Sequence, residues 1–348
     1  MNIAIVRHSI YNRGSDRVIF DYADYLIRQG HQISYYTNEV KTAFDYNKAI
    51  KIKEIPGSGK LSTILFVLKT KFNEDIVVFD LIATSCLSWI LNRKKLIYFA
   101  QGFDTTYYAS PLMHAFIGFC YRIALNFLKI PTISASDNLS NKLKTFKPKH
   151  LITIPNGVNL LSFHFYPQNQ FSDLKANTTV ILIYGKHDYV KGMDVAQKCF
   201  NKLFEINKTT PWQVWTIGEE LKTAGILIKN FGFLNNEKLR DILSAADIFL
   251  LPSRNEGLST LLLQALACEC AVVATEAANI ITHEVDGLIS PIEDGEGLAK
   301  NLDRVLRDDS LREKLRKNAR KLAEQYSLEK SCQKFEEAIL TFTNQKAL

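Results

Sequence analysis

The residues that could do chemistry fall at a few junctions between apolar runs and amphipathic segments. In Val180-Ile-Leu-Ile-Tyr-Gly185-Lys186-His-Asp-Tyr-Val-Lys191-Gly192, two lysines share one short loop and a glycine adjoins each. A strand running into a helix through that loop would set two cations and the free amides of a helix start against a diphosphate. Solvated surface lysines are the plainer reading of the same pattern. In Asp247-Ile-Phe-Leu-Leu-Pro252-Ser253-Arg-Asn-Glu256-Gly257-Leu258-Ser259, a second strand leads into a helix over 260–267. Glu256 either compensates that helix dipole or meets a ligand, and Gly257, Leu258 and Ser259 offer backbone amides to an anion. Gln264, eight residues on, is expected a little over two turns along from Glu256 and on nearly the same side. Near the start, Gly14 opens a helix after the first strand, with Ser15 or Asp16 as the expected cap. Pro56-Gly57-Ser58-Gly59-Lys60 only imitates a phosphate loop, because Glu54 and Leu61 stand where Gly and Ser or Thr are needed. No D-x-D metal pair stands at a strand end.

The elements that must position these residues alternate. Strands are expected at 3–6, 32–37, 76–80, 96–99 and 151–154, with helices over 16–29 and 138–146 between them. After a stretch rich in Pro, Gln, Asn and Ser at 157–178, read as a linker, the alternation restarts with strands at 180–184, 212–217, 226–231, 248–251 and 271–274. Such alternation means βαβ units and parallel sheets, so the chain is α/β with two Rossmann-like halves in series. From Gly295 onward the pattern is helical. In sheets of this kind ligands bind beyond the carboxyl ends of strands, where the junctions above fall, and two halves in series imply a cleft between them.

At 348 residues and 47% apolar, the chain has the composition of a two-domain globular protein, neither disordered nor fibrous. Residues 1–150 hold 20 Lys and Arg against 11 Asp and Glu, whereas residues 151–348 hold 23 against 25. A basic first half suits an anionic partner such as a membrane surface, or is simply a solvated face. Nucleic acid is not expected, because the basic residues are dispersed and no nucleic-acid motif is present. Six cysteines without a C-x-x-C pair, set among apolar residues, suggest small buried hydrophobes in a reducing, cytoplasmic compartment. The segment 111–131 is the nearest approach to a membrane span, but His114, Arg122, Asn126 and Lys129 interrupt it.

The motifs together resemble those of family 4 (group 1) glycosyltransferases. The likeness is carried by Pro252-Ser-Arg-Asn-Glu256-Gly-Leu-Ser, by Gln264-Ala-Leu-Ala-Cys268, by Ala271-Val-Val-Ala-Thr275, by Ile154-Pro-Asn-Gly157-Val, by Phe231-Gly-Phe and by Ala246-Asp247, in the family's order. The resemblance implies the GT-B architecture, two facing Rossmann-like domains with a helical C-terminus crossing back. On that reading residues 1–160 bind the acceptor, 161–325 bind the nucleotide-sugar donor, and 326–348 pack toward the first domain.

What the resemblance implies for single residues is specific. Glu256 takes the place of the acid that meets donor-sugar hydroxyls, Gln264 that of the ribose-binding Glu, and Lys186 and Lys191 those of the diphosphate-binding Arg and Lys. Gly14 stands in the first domain's glycine loop, Gly185 beside Lys186 among the donor-binding residues, and Gly232 to Leu234 in the base-binding turn. Gln101 and Asp104 occupy the positions of a His-Gly-x-Glu motif whose His is missing here. Aromatic residues gather just there, at Tyr98, Phe99, Phe103, Tyr107 and Tyr108, with Tyr107 and Tyr108 as acceptor contacts and core packing as the alternative. The family's Gly-Gly loop after Thr275 is replaced by Glu276-Ala-Ala-Asn279. The implied activity is metal-independent, retaining hexosyl transfer from a nucleoside diphosphate sugar to a glycan or lipid-linked acceptor in cell-surface polysaccharide or lipopolysaccharide synthesis. It needs no cofactor beyond the donor and is expected in the cytoplasm, at the inner face of the membrane. The competing expectation is an attenuated GT-B protein that binds a nucleotide or a partner glycosyltransferase without turnover.

Overall fold

The computed structural model describes residues 1–11, 13–42, 46–108, 110–221 and 226–344. It divides into two compact units, one formed by Met1–Asn156 with Glu329–Leu348 and the other by Gly157–Leu328.

In unit 1 the chain runs through β1 (Asn2–Val6), β2 (Ser9–Ile10), α1 (Gly14–Arg28), β3 (Gln32–Thr37), β4 (Glu39–Val40) and β5 (Lys51–Glu54). It continues with α2 (Gly59–Lys69), β6 (Ile76–Phe79), α3 (Ile82–Asn92), β7 (Leu96–Ala100), α4 (Pro111–Tyr121), β8 (Thr132–Ser134), α5 (Asp137–Lys144) and β9 (Leu151–Thr153). Seven strands form one parallel sheet in the order β5-β3-β1-β6-β7-β8-β9, and β2 pairs with β4 beside it. Because both faces of a parallel sheet are covered, the central strands are apolar throughout. Ala4, Val6, Val77, Phe79, Tyr98 and Ala100 face the layer that contributes Val67, Ile82, Ile117, Tyr121 and Leu143.

Unit 2 contains β10 (Thr179–Gly185), α6 (Met193–Ile206), β11 (Trp212–Gly218), β12 (Ile228–Asn230), α7 (Asn236–Ala245), β13 (Ile248–Leu251) and α8 (Thr260–Ala267). Then come β14 (Ala271–Thr275), β15 (Leu288–Ser290), α9 (Gly295–Arg307) and α10 (Asp309–Gln325). Its parallel sheet has the order β12-β11-β10-β13-β14-β15. This is the doubly wound Rossmann order, with its switch point between β10 and β13. Val180, Leu182, Trp215, Phe249 and Val272 point to α7, α8 and α10, whereas Ile181, Ile183, Val214, Leu250 and Val273 point to α6 and α9. Polar caps fix the helix starts, with Asn235 accepting from Lys238 N at 3.0 Å, Asp294 from Gly297 N at 2.7 Å and Asp308 from Leu311 N at 2.9 Å.

The last helix, α11 (Leu328–Asn344), packs in unit 1. Phe335 lies 4.6 Å from the Tyr22 ring and 5.1 Å from Phe99, and Ser331 donates to the Pro155 carbonyl at 2.8 Å. The segment 157–178, expected to be a linker, is instead part of unit 2. Phe163 and Phe171 are buried in its core, and Val158 N donates to the Tyr326 carbonyl at 2.8 Å. Polar composition around two aromatic anchors had disguised a packed segment as a tether. All six cysteines are free, five of them buried. No helix among the described residues is long and apolar enough to cross a membrane.

Candidate functional site

The carboxyl end of β10 is built on a close backbone approach. Gly185 and Gly218 are register partners at the ends of β10 and β11, and Glu219 N donates to the Gly185 carbonyl at 2.8 Å. A Cβ at Gly185 would stand 1.9 Å from the Glu219 carbonyl oxygen, so no side chain fits there. Gly218 was not singled out from the sequence, although it ends its strand just as Gly185 does. Its N–H donates to the Gly232 carbonyl at 2.8 Å, which carries the row of strand-end glycines on to the turn after β12. Leu234, in that turn, packs partly buried against the core.

After Gly185 the loop forms one turn of 3-10 helix at Tyr189–Lys191, capped by Asp188, whose carboxylate accepts from Val190 N at 3.1 Å. Gly192 follows with φ +65° and serves as the N-cap of α6. There a Cβ would meet the Pro252 carbonyl oxygen at 2.2 Å, so the loop after β10 is pressed against the loop after β13. These two loops leave the strands that flank the switch point, where Rossmann-like sheets hold ligands.

At this junction Lys191 Nζ lies 2.8 Å from Glu256 Oε1, and Ser253 donates its hydroxyl to the same oxygen at 2.7 Å. The carboxylate is 9% exposed and the lysine 25%. Lys186 is turned elsewhere, with Nζ 3.5 Å from Asp188 Oδ2. The structure therefore joins Glu256 to only one of the two expected lysines. Gly257 accepts at its carbonyl from Asn279 Nδ2 at 3.2 Å, so the residue replacing part of the expected glycine loop ties down the Glu256 segment.

Two details of the sequence reading need correction. Glu256 and Gln264 do not share a helix, because Ser259 caps α8 through its hydroxyl and Glu256 lies in the loop before it. The turn-counting argument for one common face therefore lapses. Gln264 is half-buried in α8, and its amide makes no hydrogen bond among the described residues. Leu258 is buried in the core, which leaves its backbone alone to face a ligand.

Arg254 was quoted in the motif without a role. Its guanidinium, 8% exposed, donates to the Tyr189 carbonyl at 2.6 Å, to Asp194 at 2.7 and 2.9 Å, and to Glu293. It also stacks 4.1 Å from the centroid of the Tyr189 ring, while Arg254 N donates to the Val190 carbonyl at 2.8 Å. The hydrogen bonds from Arg254 hold the carboxyls of Asp194 and Glu293 below the usual range. One bidentate cation thus fastens the Lys191 turn to the Glu256 loop. An arginine two residues before a motif acid, with acids at 194 and 293, is a signal that emerges only once the topology is known.

In unit 1 the corresponding switch point lies between β1 and β6. Arg7, just past β1, makes ion pairs with Asp16 at 3.2 Å and Asp80 at 3.0 Å, and donates to the Ser15 hydroxyl at 2.8 Å. Gly14 is the first residue of α1, and the helix start around it is already served by Asp16, which accepts from Tyr11 N and from Arg13. Gln101 donates through Nε2 to the Ser15 carbonyl at 3.1 Å. Asp104, expected to meet an acceptor, is turned inward and 2% exposed. Its carboxylate accepts from Ile82 N at 2.7 Å and from the Tyr98 hydroxyl at 3.0 Å, and burial pushes its pKa up to about 7. It caps α3. Tyr98 and Phe99 are core residues, and Phe103 stacks on Tyr121 at 5.2 Å. The ring of Tyr108 packs partly buried against the same core, with Lys60 Nζ 5.3 Å from its centroid. The side chain of Tyr107 lies outside the described residues.

Two parallel Rossmann-like sheets, the second carrying an acid and a cation at its switch point, are the architecture of the GT-B class of glycosyltransferases. Residues 167–322 match the family described as glycosyl transferases group 1, the group that the motifs resemble. An uncharacterized glycosyltransferase of Haemophilus influenzae is 24% identical over 350 residues, spanning 91% of this chain and 93% of the relative. The fold is shared with WaaG, a glycosyltransferase involved in lipopolysaccharide biosynthesis, at a TM-score of 0.79 and 17% identity over 97% of this chain and 99% of that one. It is shared equally with Anabaena HepE in complex with UDP-glucose, at a TM-score of 0.78 and 16% identity over 98% of this chain and 100% of that one.

Proposed function

We propose that this chain moves a hexosyl group, with retention of anomeric configuration, from a nucleoside diphosphate sugar to a glycan or lipid-linked acceptor. The setting is cell-surface polysaccharide or lipopolysaccharide synthesis in the cytoplasm, at the inner face of the membrane. The observation that carries the reading is the Lys191–Glu256 pair at the switch point of unit 2. As the sugar–phosphate bond breaks, negative charge grows on the departing diphosphate, and a fixed ammonium there lowers the barrier without a metal. Lys191 supplies it, with Lys186 joining once the donor's phosphates compete with Asp188. Glu256 accepts from a sugar hydroxyl, the backbone of Gly257 to Ser259 meets the same region, Gln264 reaches the ribose, and the turn at Gly232 and Leu234 receives the base. In unit 1 the Gly14 helix start and Gln101 serve the donor, and Tyr107 and Tyr108 the acceptor.

A panel of nucleotide sugars, scored for hydrolysis and for binding in parallel, tests the proposal and identifies the donor. Glu256→Ala is expected to cut turnover of the cognate donor by about 30- to 1000-fold, or roughly 2–4 kcal/mol, while the fold persists. Unchanged turnover would refute the role of Glu256. Gln101 and Gln264, neutral where the family's pattern has His and Glu, favour the second reading of an attenuated protein, and tight binding without turnover by the unaltered chain would establish it.

A further inference from the structure

The glycine-rich stretch that imitates a phosphate loop is spent on another residue. Asn38, just past β3, donates through Nδ2 to the carbonyls of Ile55 and Gly57, both at 3.3 Å, and to the Ser62 hydroxyl at 2.7 Å. That hydroxyl in turn donates to the Gly59 carbonyl at 2.7 Å. Carbonyls only accept, so these contacts fix the Asn38 amide and leave Oδ1 on its other side. There Thr63, buried on α2, donates its hydroxyl to Oδ1. His8, just past β1, brings Nδ1 to 3.3 Å from Oδ1 and 3.0 Å from Thr63 Oγ1. With its one proton committed to Asn38, the Thr63 hydroxyl can only accept from His8, and Oδ1 can only accept as well. The proton of neutral His8 is therefore on Nδ1, and Nε2 is a bare acceptor. The residue is half-buried, and Nε2 makes no hydrogen bond among the described residues.

We infer that Nε2 of His8 accepts a hydrogen bond from a hydroxyl of a sugar acceptor. The class of ligand rests on the transfer reading of this chain, and the site rests on the linked side chains of Asn38, Thr63 and His8. His8 leaves the carboxyl end of β1, a strand at the switch point of its sheet, where open α/β sheets take ligands. Lys60 and Thr63 are three residues apart on α2 and so share a face. Thr63 meets His8 there, and Lys60 places Nζ 5.3 Å from the ring centroid of Tyr108, proposed above for the acceptor. One helix face thus carries an exposed ammonium, which only donates, and meets an imidazole whose Nε2 only accepts. Sugar hydroxyls both donate and accept, and can use the two together. A fully ionised phosphate has no donor to offer Nε2. The carbonyls of Gly57 and Gly59 are turned to Asn38 and Ser62, so the motif that looks like an anion cradle serves the histidine instead.

The experiment is nitrogen NMR of the full chain labelled at histidine, in weakly alkaline buffer where imidazole is neutral. The probes are the methyl glycosides of glucose, galactose, mannose and N-acetylglucosamine, and His8→Gln assigns the His8 signals by their loss. The free chain is expected to show a protonated Nδ1 and a bare Nε2. At least one glycoside should move that Nε2 resonance into the hydrogen-bonded range, while those of His31, His114 and His150 in the same unit stay in place. His8→Phe should bind that glycoside roughly three- to tenfold more weakly. His8→Gln, whose amide oxygen reaches as far as Nε2, should recover most of the loss. Affinity for UDP or GDP should follow neither change, as it would if the variants failed to fold, and thermal melts check the same point. A proton on Nε2, a Nε2 resonance that no glycoside moves, or equal glycoside binding by His8→Phe and the unaltered chain would overturn the inference. Donor turnover with His8 untouched by every glycoside strikes this site alone. Glycoside binding at His8 by a chain that turns over no nucleotide sugar strikes the transfer reading and leaves the hydroxyl site standing.

Discussion

Replacing Glu256 by glutamine separates two roles that the Lys191–Glu256 contact would otherwise confound. The change keeps the size of the side chain and one acceptor oxygen but removes a negative charge. Lys191 Nζ is 2.8 Å from that carboxylate, and a phosphate oxygen bound by the same ammonium takes about the same distance. The phosphate therefore sits within roughly 6 Å of Glu256, where two unit charges repel by about 3 kcal/mol at an effective dielectric of 20 and half that at 40. Lys191 is a quarter exposed, so water screens the pair and the lower part of that range applies. Glu256→Gln should then bind the free nucleoside diphosphate about 1–2 kcal/mol more tightly, five- to thirtyfold, while turnover of the matching sugar nucleotide falls by at least about 30-fold. Calorimetric titration with UDP and GDP reads the first effect and a coupled release assay the second. A carboxylate that only stabilised the fold would weaken both together. If affinity for the free diphosphate is unchanged or lower, Lys191 does not face the phosphates and the site assignment fails.

Lys191→Met should weaken the same titration by about 1–3 kcal/mol, and Lys186→Met should do so by less, because Lys186 must first leave Asp188; equal losses would place both ammonium groups on the diphosphate. Gly192→Ala should lower the melting temperature by several degrees, since its Cβ meets the Pro252 carbonyl at 2.2 Å and its φ is +65°; an unchanged melt would mean that the two loops can part freely. Asp104 titrates near pH 7 when folded and near 4 when unfolded. Between those values the native state holds the extra proton, so this residue makes stability fall as pH rises from about 4 to 7, with no further change above. Asp104→Asn should flatten that slope in denaturant titrations, and a slope identical to that of the unaltered chain would show that the buried carboxyl stays ionised.

How legible the molecule was depended on whether a residue's partners lay close in sequence. The runs at Ile3–Val6 and Val180–Tyr184 are apolar on both faces, which only a doubly covered parallel strand requires, and both are central strands. Glu256 was visible because an acid between a strand and a capped helix has few structural duties. Asp104 looked similar, yet its carboxylate accepts from Ile82 N and the Tyr98 hydroxyl while its own N–H donates to the Tyr121 hydroxyl, and only the packing of α3 and α4 reveals that it faces inward. Strand β5, Lys51-Ile-Lys-Glu54, escaped notice because it is an edge strand with charged residues, which discourage pairing with another chain. Helix α2 was hidden for the opposite reason, since Leu61, Ile64, Leu65 and Leu68 put apolar residues on its outer side and blur the 3.6-residue period.

The same contrast explains where the two units spend their charge. In unit 1 the switch point is internally neutralised, with Arg7 holding Asp16 and Asp80, and Arg13 adding a second contact to Asp16. A diphosphate offered to that point would meet cations already committed to partly or fully buried acids, and displacing them would cost several kcal/mol. In unit 2 the switch point has a carboxylate balanced by one lysine that is still a quarter exposed, and glycines hold the surrounding backbone close. On the proposed reading, an arriving diphosphate would share that lysine with Glu256, whose second oxygen would accept from a hydroxyl of the attached sugar. The excess positive charge of residues 1–150 is therefore not at the switch point of its own sheet. Much of it lies on or just after the acid-free helices α2, α3 and α4, beside exposed leucine and phenylalanine.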